Sequence, residues 1–174
     1  ASEGAVEGAL EFVVERLRGY LRDRGYRYDV VDAVLVERGH DPYRAREGVE
    51  ELTDWVARAD WDVILDNYSR CVRITRDYDE VFELDPELFE EKAEERLYEA
   101  YREARLKVTP ESPVGEFLAA FLPLVEVIDA YFERESGVLV MADDEAVRKN
   151  RLAQLQRIAA LADGIVDLSR LEGF

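Results

Sequence analysis

The chain has 174 residues, 48% of them hydrophobic, and 40 acids against 23 bases give a net charge of -17. A single Cys71 and a single His40 exclude a Cys/His zinc site, which needs about four converging ligands, and leave no Ser/His or Cys/His catalytic arrangement. No apolar run approaches the ~20 residues of a membrane span and no basic-then-apolar leader is present, so the chain reads as cytoplasmic, membrane-free and, by length, one domain spanning 1–174.

The acidic balance argues against nonspecific binding to phosphate backbones, which a negative surface repels. Of the bases 20 are Arg and only Lys92, Lys107 and Lys149 are Lys, a pattern that fits salt adaptation or genomic base composition equally. The first residues are Ala-Ser-Glu-Gly without Met, which predicts a piece of something longer.

Apolar spacing predicts helices almost throughout. Leu10, Val13, Val14, Leu17, Tyr20 and Leu21 mark an amphipathic helix over about 7–23, stopped by Gly25. Val30, Val31, Val34 and Leu35 mark a second over about 29–37, with Gly39 as its stop. Asp41-Pro42, a cap followed by proline at the first helical position, opens a third to about residue 57. Asp60 is expected to cap a fourth, with Trp61, Ile64, Leu65, Tyr68, Cys71, Val72 and Thr75 inside and Asp62, Asp66, Ser69, Arg70, Arg73 and Arg76 outside. Cys71 is then a small core residue, and His40 in Gly-His-Asp-Pro a turn histidine.

After an acidic link over 77–84, Asp85-Pro86 repeats the cap-then-proline signal for a helix through Leu88, Phe89, Ala93, Leu97, Tyr98 and Tyr101. Glu90, Glu91, Glu94 and Glu95 on it read as a solvated stripe rather than a carboxylate pair for acid–base work. Thr109-Pro110-Glu111-Ser112-Pro113 is a turn leading into an apolar run over 117–132 that Pro123 should kink or break. Residues 133–137 are a polar connector, 138–141 an extended run, and Asp143 and Asp144 together cap a last helix to about residue 168. The sum is an all-α bundle of six to eight helices.

No phosphate loop, metal cluster or nucleophile constellation is visible. The residues alone therefore point to a helical binding or interaction module. Arg70, Arg73 and Arg76, spaced three apart on one helix, and Arg148, Lys149, Arg151 and Arg157 on the last could meet phosphates and base edges. The plainer reading is that they pair with neighbouring acids.

Two stretches name a family: Val-Met-Ala-Asp-Asp-Glu-Ala-Val-Arg-Lys-Asn-Arg-Leu at 140–152 and Ile-Val-Asp-Leu-Ser-Arg-Leu at 165–171. They resemble the C-terminal end of the β subunit of bacterial two-subunit glycyl-tRNA synthetase, which runs Val-Met-Val-Met-x-Asp-Asp, then Arg-x-Asn-Arg-Leu, and closes on Ala-Asp-x-Ser-x-Leu. Residues 18–35 look like that family's entry helix pair, and 127–132 like its Val-Ile-Asp-Ala-Phe-Phe. Two departures stand out. Where the family commonly reads Lys-Arg-Val-x-Asn-Ile, residues 69–74 are Ser-Arg-Cys-Val-Arg-Ile, so only Arg70 and Ile74 carry over. About three extra residues, Glu-Ser-Gly included, lengthen the loop before Val138.

The resemblance implies an anticodon-binding domain of the arginyl-tRNA-synthetase (DALR) type that holds the anticodon arm of glycine tRNA while the α subunit aminoacylates it. The implied partners are glycine tRNA, that α subunit and the remainder of the β subunit. No cofactor is expected in this chain, ATP and magnesium belonging to the α subunit. The RNA-binding candidates are Arg70, Arg73, Arg148, Lys149, Asn150 and Arg151, with no catalytic or metal residue. The alternative is a helical protein-docking domain without direct RNA readout.

Overall fold

The computed structural model describes residues 3–134 and 137–174, with the side chains of Glu3 and Ala5 left out. Among the described residues the fold is all-α: eight helices and no strand. They are α1 (Glu3–Asp23), α2 (Tyr28–Arg38), α3 (Pro42–Val56), α4 (Trp61–Thr75), α5 (Lys92–Lys107), α6 (Val114–Phe121), α7 (Leu124–Tyr131) and α8 (Glu145–Ala159). Single 3₁₀ turns occupy Pro86–Leu88, Ala160–Ala162 and Leu168–Arg170. Glu135 and Ser136, which belong to the polar connector and to the lengthened loop, lie outside the described residues.

The first three helices follow their local signals. Gly25 turns the chain at a φ of 92° that only glycine adopts freely. Val30, Val31, Val34 and Leu35 are all buried on α2. Gly39 ends α2 for a different reason from the one its position suggests. Its φ of -58° is right-handed, but a Cβ there would come within 2.8 Å of the Val14 side chain of α1, so glycine permits the crossing of α1. At α3, Asp41 accepts from the Arg44 N–H at 3.1 Å and Pro42 takes the first helical position.

On α4 the apolar face is as expected, but two polar expectations fail. Asp60 occupies the cap position without capping, because Arg58 takes both its oxygens at 2.8 and 2.7 Å. Ser69 is fully buried, not exposed: its hydroxyl donates to the Asp66 carbonyl at 2.9 Å and accepts from Arg73 at 2.6 Å.

The largest departures lie around α5. Asp85-Pro86 opens only one 3₁₀ turn, and α5 begins at Lys92 through a capping box between Glu91 and Glu94. Asn150 on α8 explains the delay. It accepts from the Asp85 N–H at 2.7 Å and donates to the Asp85 carbonyl at 3.0 Å, holding that segment out of a helix. Glu94 is not on a solvated stripe but has no exposed surface. Pro123 breaks the following run into α6 and α7. The N-terminus of α6 is capped from across the fold, Glu51 of α3 accepting from the Gly115 N–H at 2.7 Å.

Residues 138–141 form no strand, yet Val138 and Val140 are buried while Leu139 and Met141 are exposed, the period of two that an extended run gives. Only Asp144 caps α8, accepting from Ala146 and Val147 at 2.8 and 3.0 Å; Asp143 accepts neither N–H. The helix ends at Ala159, about nine residues before the expected 168; one 3₁₀ turn follows, and extended Asp163 and Gly164, at a φ of 74°, then turn the chain. The tail then crosses α2: the Asp167 N–H donates to the Ala33 carbonyl at 2.8 Å and the Glu172 N–H to Asp29 at 2.9 Å. Buried Arg38 adds donors to the carbonyls of Ser112, Pro110 and Gly164.

Helix α4 packs on α8 and α7, α5 on α7, α6 and α8, and α2 on α1 and α3. Their buried side chains form one cluster, in which Tyr68 meets Phe121, Phe117 and Phe174 edge-on at centroid distances of 5.6, 6.3 and 6.4 Å. Within it lies an ion pair: Arg151 of α8 donates to Glu94 of α5 at 3.1 and 3.3 Å, to Glu90 at 3.0 Å and to the Leu139 carbonyl at 2.9 Å. Removing one partner of such a pair strands a charge and costs about 3–5 kcal/mol. Urea unfolding should therefore register a loss of that order for Arg151→Ala; a loss under about 1 kcal/mol would contradict a desolvated pair.

Burial alone would raise the Asp29 carboxyl, but the Arg27 guanidinium at 2.6 and 3.0 Å and the N–H groups of Glu172 and Val30 outweigh it and hold it below its ordinary value. A depressed folded-state pKa stabilises above the unfolded value of about 3.9 and stops doing so as pH falls through the folded value. Asp29→Asn should lower stability at neutral pH and flatten its fall below about pH 4 in acid titrations followed by circular dichroism.

Candidate nucleic-acid interface

The six candidate residues do not form one basic patch. Arg70 of α4 reaches Asp66 at 2.7 Å and Asp129 of α7 at 3.0 Å. On α8, Lys149 pairs with Glu145 at 2.9 Å and lies 5.8 Å from the Phe82 ring. Arg148 folds back onto the Ala142 carbonyl at 2.8 Å. Asn150 and Arg151 are buried and held by Asp85 and Glu94 as described. Arg73 differs from the rest. It is exposed and has no carboxylate partner among the described residues; one nitrogen donates to Ser69 and the guanidinium lies 5.9 Å over the Phe174 ring.

Phe174 borders a cleft of about 400 Å³ between the second half of α4, the end of α8 and the tail. Tyr68, whose hydroxyl donates to the Ala159 carbonyl at 2.9 Å, Val72, Ala162 and Val166 give it apolar walls. The link over 77–84 supplies Tyr78 and Val81, and α8 holds that link in place. Gln156 donates to the Glu80 carbonyl at 2.8 Å and accepts from the Phe82 N–H at 3.0 Å, while Arg157 donates to the Phe82 carbonyl at 3.0 Å.

Three carboxylates face the same cleft. Asp167 is occupied by Ser169 and Arg170, and Glu37 accepts from the Gly164 N–H at 3.0 Å. Asp163 has no hydrogen-bond or ion-pair partner among the described residues; burial, then the Glu37 charge, raise its carboxyl above the ordinary range. Sequence reasoning missed Asp163 and Phe174, because neither falls on a helical period and only the return of the tail brings them to α4.

Cys71 beneath this face is fully buried, its thiol within 3.6 Å of the Asn67 carbonyl, and burial pushes its pKa up to about 12. A thiol in that state is a poor nucleophile. Ellman's reagent should leave the native chain unreacted and modify one thiol in denaturant; rapid native reaction would contradict the packing of α4.

No family model matches the chain. Relatives align over almost all of it. The glycine–tRNA ligase beta subunit of Moorella thermoacetica is 36% identical over 168 residues, 95% of this chain and 24% of that one. Glycine–tRNA ligase, chloroplastic/mitochondrial 2, of Arabidopsis thaliana is 36% identical over 171 residues, 97% of this chain and 16% of that one. The beta subunit of Lactobacillus delbrueckii is 32% identical over 163 residues, 92% and 23%. The chain spans a quarter or less of the length of these relatives and corresponds, over nearly its whole length, to a part of the glycine–tRNA ligase beta subunit.

Proposed function

We propose that this chain is the anticodon-binding module, of the helical arginyl-tRNA-synthetase (DALR) type, of a two-subunit glycine–tRNA ligase. Its task is to hold the anticodon arm of glycine tRNA while the α subunit, with ATP and magnesium, carries out aminoacylation. The similarity to ligase beta subunits supports the class of function. The observation that carries RNA contact is Arg73. In a chain of net charge -17, it is an exposed guanidinium without a carboxylate partner among the described residues, set over the Phe174 ring beside an apolar-walled cleft. A guanidinium and a ring together suit unpaired bases and their phosphates, since a base can stack on either and the phosphate takes the charge. The surrounding acids disfavour duplex backbone, so affinity has to come from unstacked loop bases rather than from phosphates in general.

A second reading, docking on protein, is favoured by one observation on another face. Val6, Leu10 and Val13 of α1 lie at helical spacing and are 59%, 42% and 43% exposed, a stripe fit for an apolar partner. The two readings use different surfaces and separate by mutation.

Titrating the 174-residue chain with glycine tRNA and with an anticodon-swapped version at two salt concentrations tests the first. The swapped tRNA should bind more weakly, and Arg73→Glu should weaken glycine tRNA by roughly 5- to 150-fold, the equivalent of about 1–3 kcal/mol, with little effect from Val13→Ser. Equal, very weak binding to both tRNAs would sink the anticodon reading.

A further inference from the structure

We propose that the cleft behind Arg73 receives one unpaired base carrying an exocyclic amino group, whose N–H donates to the Asp163 carboxylate. This deepens the anticodon reading and rests on it.

Size comes first. About 400 Å³ lies at the small end of the range for ligand sites, enough for one flat heterocycle and too little for paired bases. The walls suit such a guest: half-buried Val72 and Phe174 offer apolar surface, backed by the buried Tyr68, Ala162 and Val166. Base faces gain from contacts of this kind whatever the base identity. Selectivity must therefore come from the polar groups.

Among them the carboxylates of Glu37, Asp163 and Asp167 are acceptors. Asp163 lacks any partner among the described residues, and Glu37, which lines the same cleft, has only the Gly164 N–H. Asp163 keeps exposed surface, and partial burial together with the Glu37 charge raises its carboxyl. Arg157, also on the wall, gives one nitrogen to the Phe82 and Ala153 carbonyls, so it holds the link rather than neutralising Asp163. A phosphate or carboxylate entering here would be repelled. Cytosine and adenine bring an amino donor, and carboxylate-to-cytosine-amino pairing is a recurrent base contact. Uracil would turn carbonyl oxygens toward the carboxylates and has one ring N–H to offer. The nucleotide's own phosphate, left outside, would meet Arg73.

The test uses fluorescently labelled single-stranded octamers of cytidine, adenosine and uridine, alongside whole glycine tRNA, with the full 174-residue chain. The cytidine or adenosine octamer should bind at least tenfold more tightly than uridine. Asp163→Asn should erase that preference by weakening the amino-bearing octamer. Removing a negative charge by itself would tighten all RNA, so weakening runs against the electrostatic trend and a purely electrostatic role cannot produce it. Asp143→Asn, a charge change on an exposed residue that caps nothing, is the matched control and should leave the preference intact. Equal binding of the octamers by the unaltered chain, or an undiminished preference in Asp163→Asn, overturns the pocket while the anticodon reading stands if glycine tRNA still outcompetes its swapped form. Failure to bind any of the four RNAs overturns both.

Discussion

The constraint on which the fold depends is the charge pair buried between α8 and α5. Taking a carboxylate and a guanidinium out of water costs several kcal/mol per ion, and only close geometry with further hydrogen bonds offsets it. Arg151 meets that requirement by reaching Glu94, Glu90 and the Leu139 carbonyl at once. Glu94 meets it by also accepting from the Glu90 and Glu91 N–H groups at 3.0 Å, which starts α5. Neighbouring side chains continue the pattern: Asn150 holds Asp85, Gln154 donates to the Glu94 carbonyl at 2.7 Å, and Gln156 holds the link at Glu80 and Phe82. Helix α8 thus turns much of its polar sequence inward: the buried pair fixes where α5 begins and where the extended run passes, and its neighbours Asn150, Gln156 and Arg157 fix where the link lies.

That arrangement decides what is left for a partner. Asn150 and Arg151 are consumed by the interior, and Arg70 and Lys149 are neutralised by aspartate and glutamate. Arg73, exposed and without a carboxylate partner among the described residues, lies over Phe174 beside the cleft. With a net charge of -17, a surface that repels phosphate in general leaves recognition to shape and to hydrogen bonds with bases.

Much of the fold was legible in the sequence because local signals acted without competition. Asp41-Pro42 caps α3, Pro123 splits α6 from α7, and the valines of α2 point inward as their spacing demands. Signals failed where another residue, near or distant, outbid them. Asp85-Pro86 reads as a helix start, but Asn150 holds its backbone from 65 residues away. Glu94 reads as surface because periodicity cannot reveal an arginine 57 residues later in the chain. Asp60 was taken by Arg58, two residues before it. The wording at 140–152 that pointed to a family is mostly structural: Asp144 caps, Asn150 and Arg151 bind the core. The cleft was the least legible part, because Asp163 and Phe174 acquire their roles only from the return of the tail over α2.

On the proposed reading RNA meets the cleft between the second half of α4, the end of α8 and the returning tail, and not the polar start of α8. Amide hydrogen exchange of the chain with and without glycine tRNA tests this directly. Slowed exchange is expected in the second half of α4, the link over 77–82 and residues 156–174, with α1 unchanged. Protection confined to α1, or none at saturating tRNA, would contradict it.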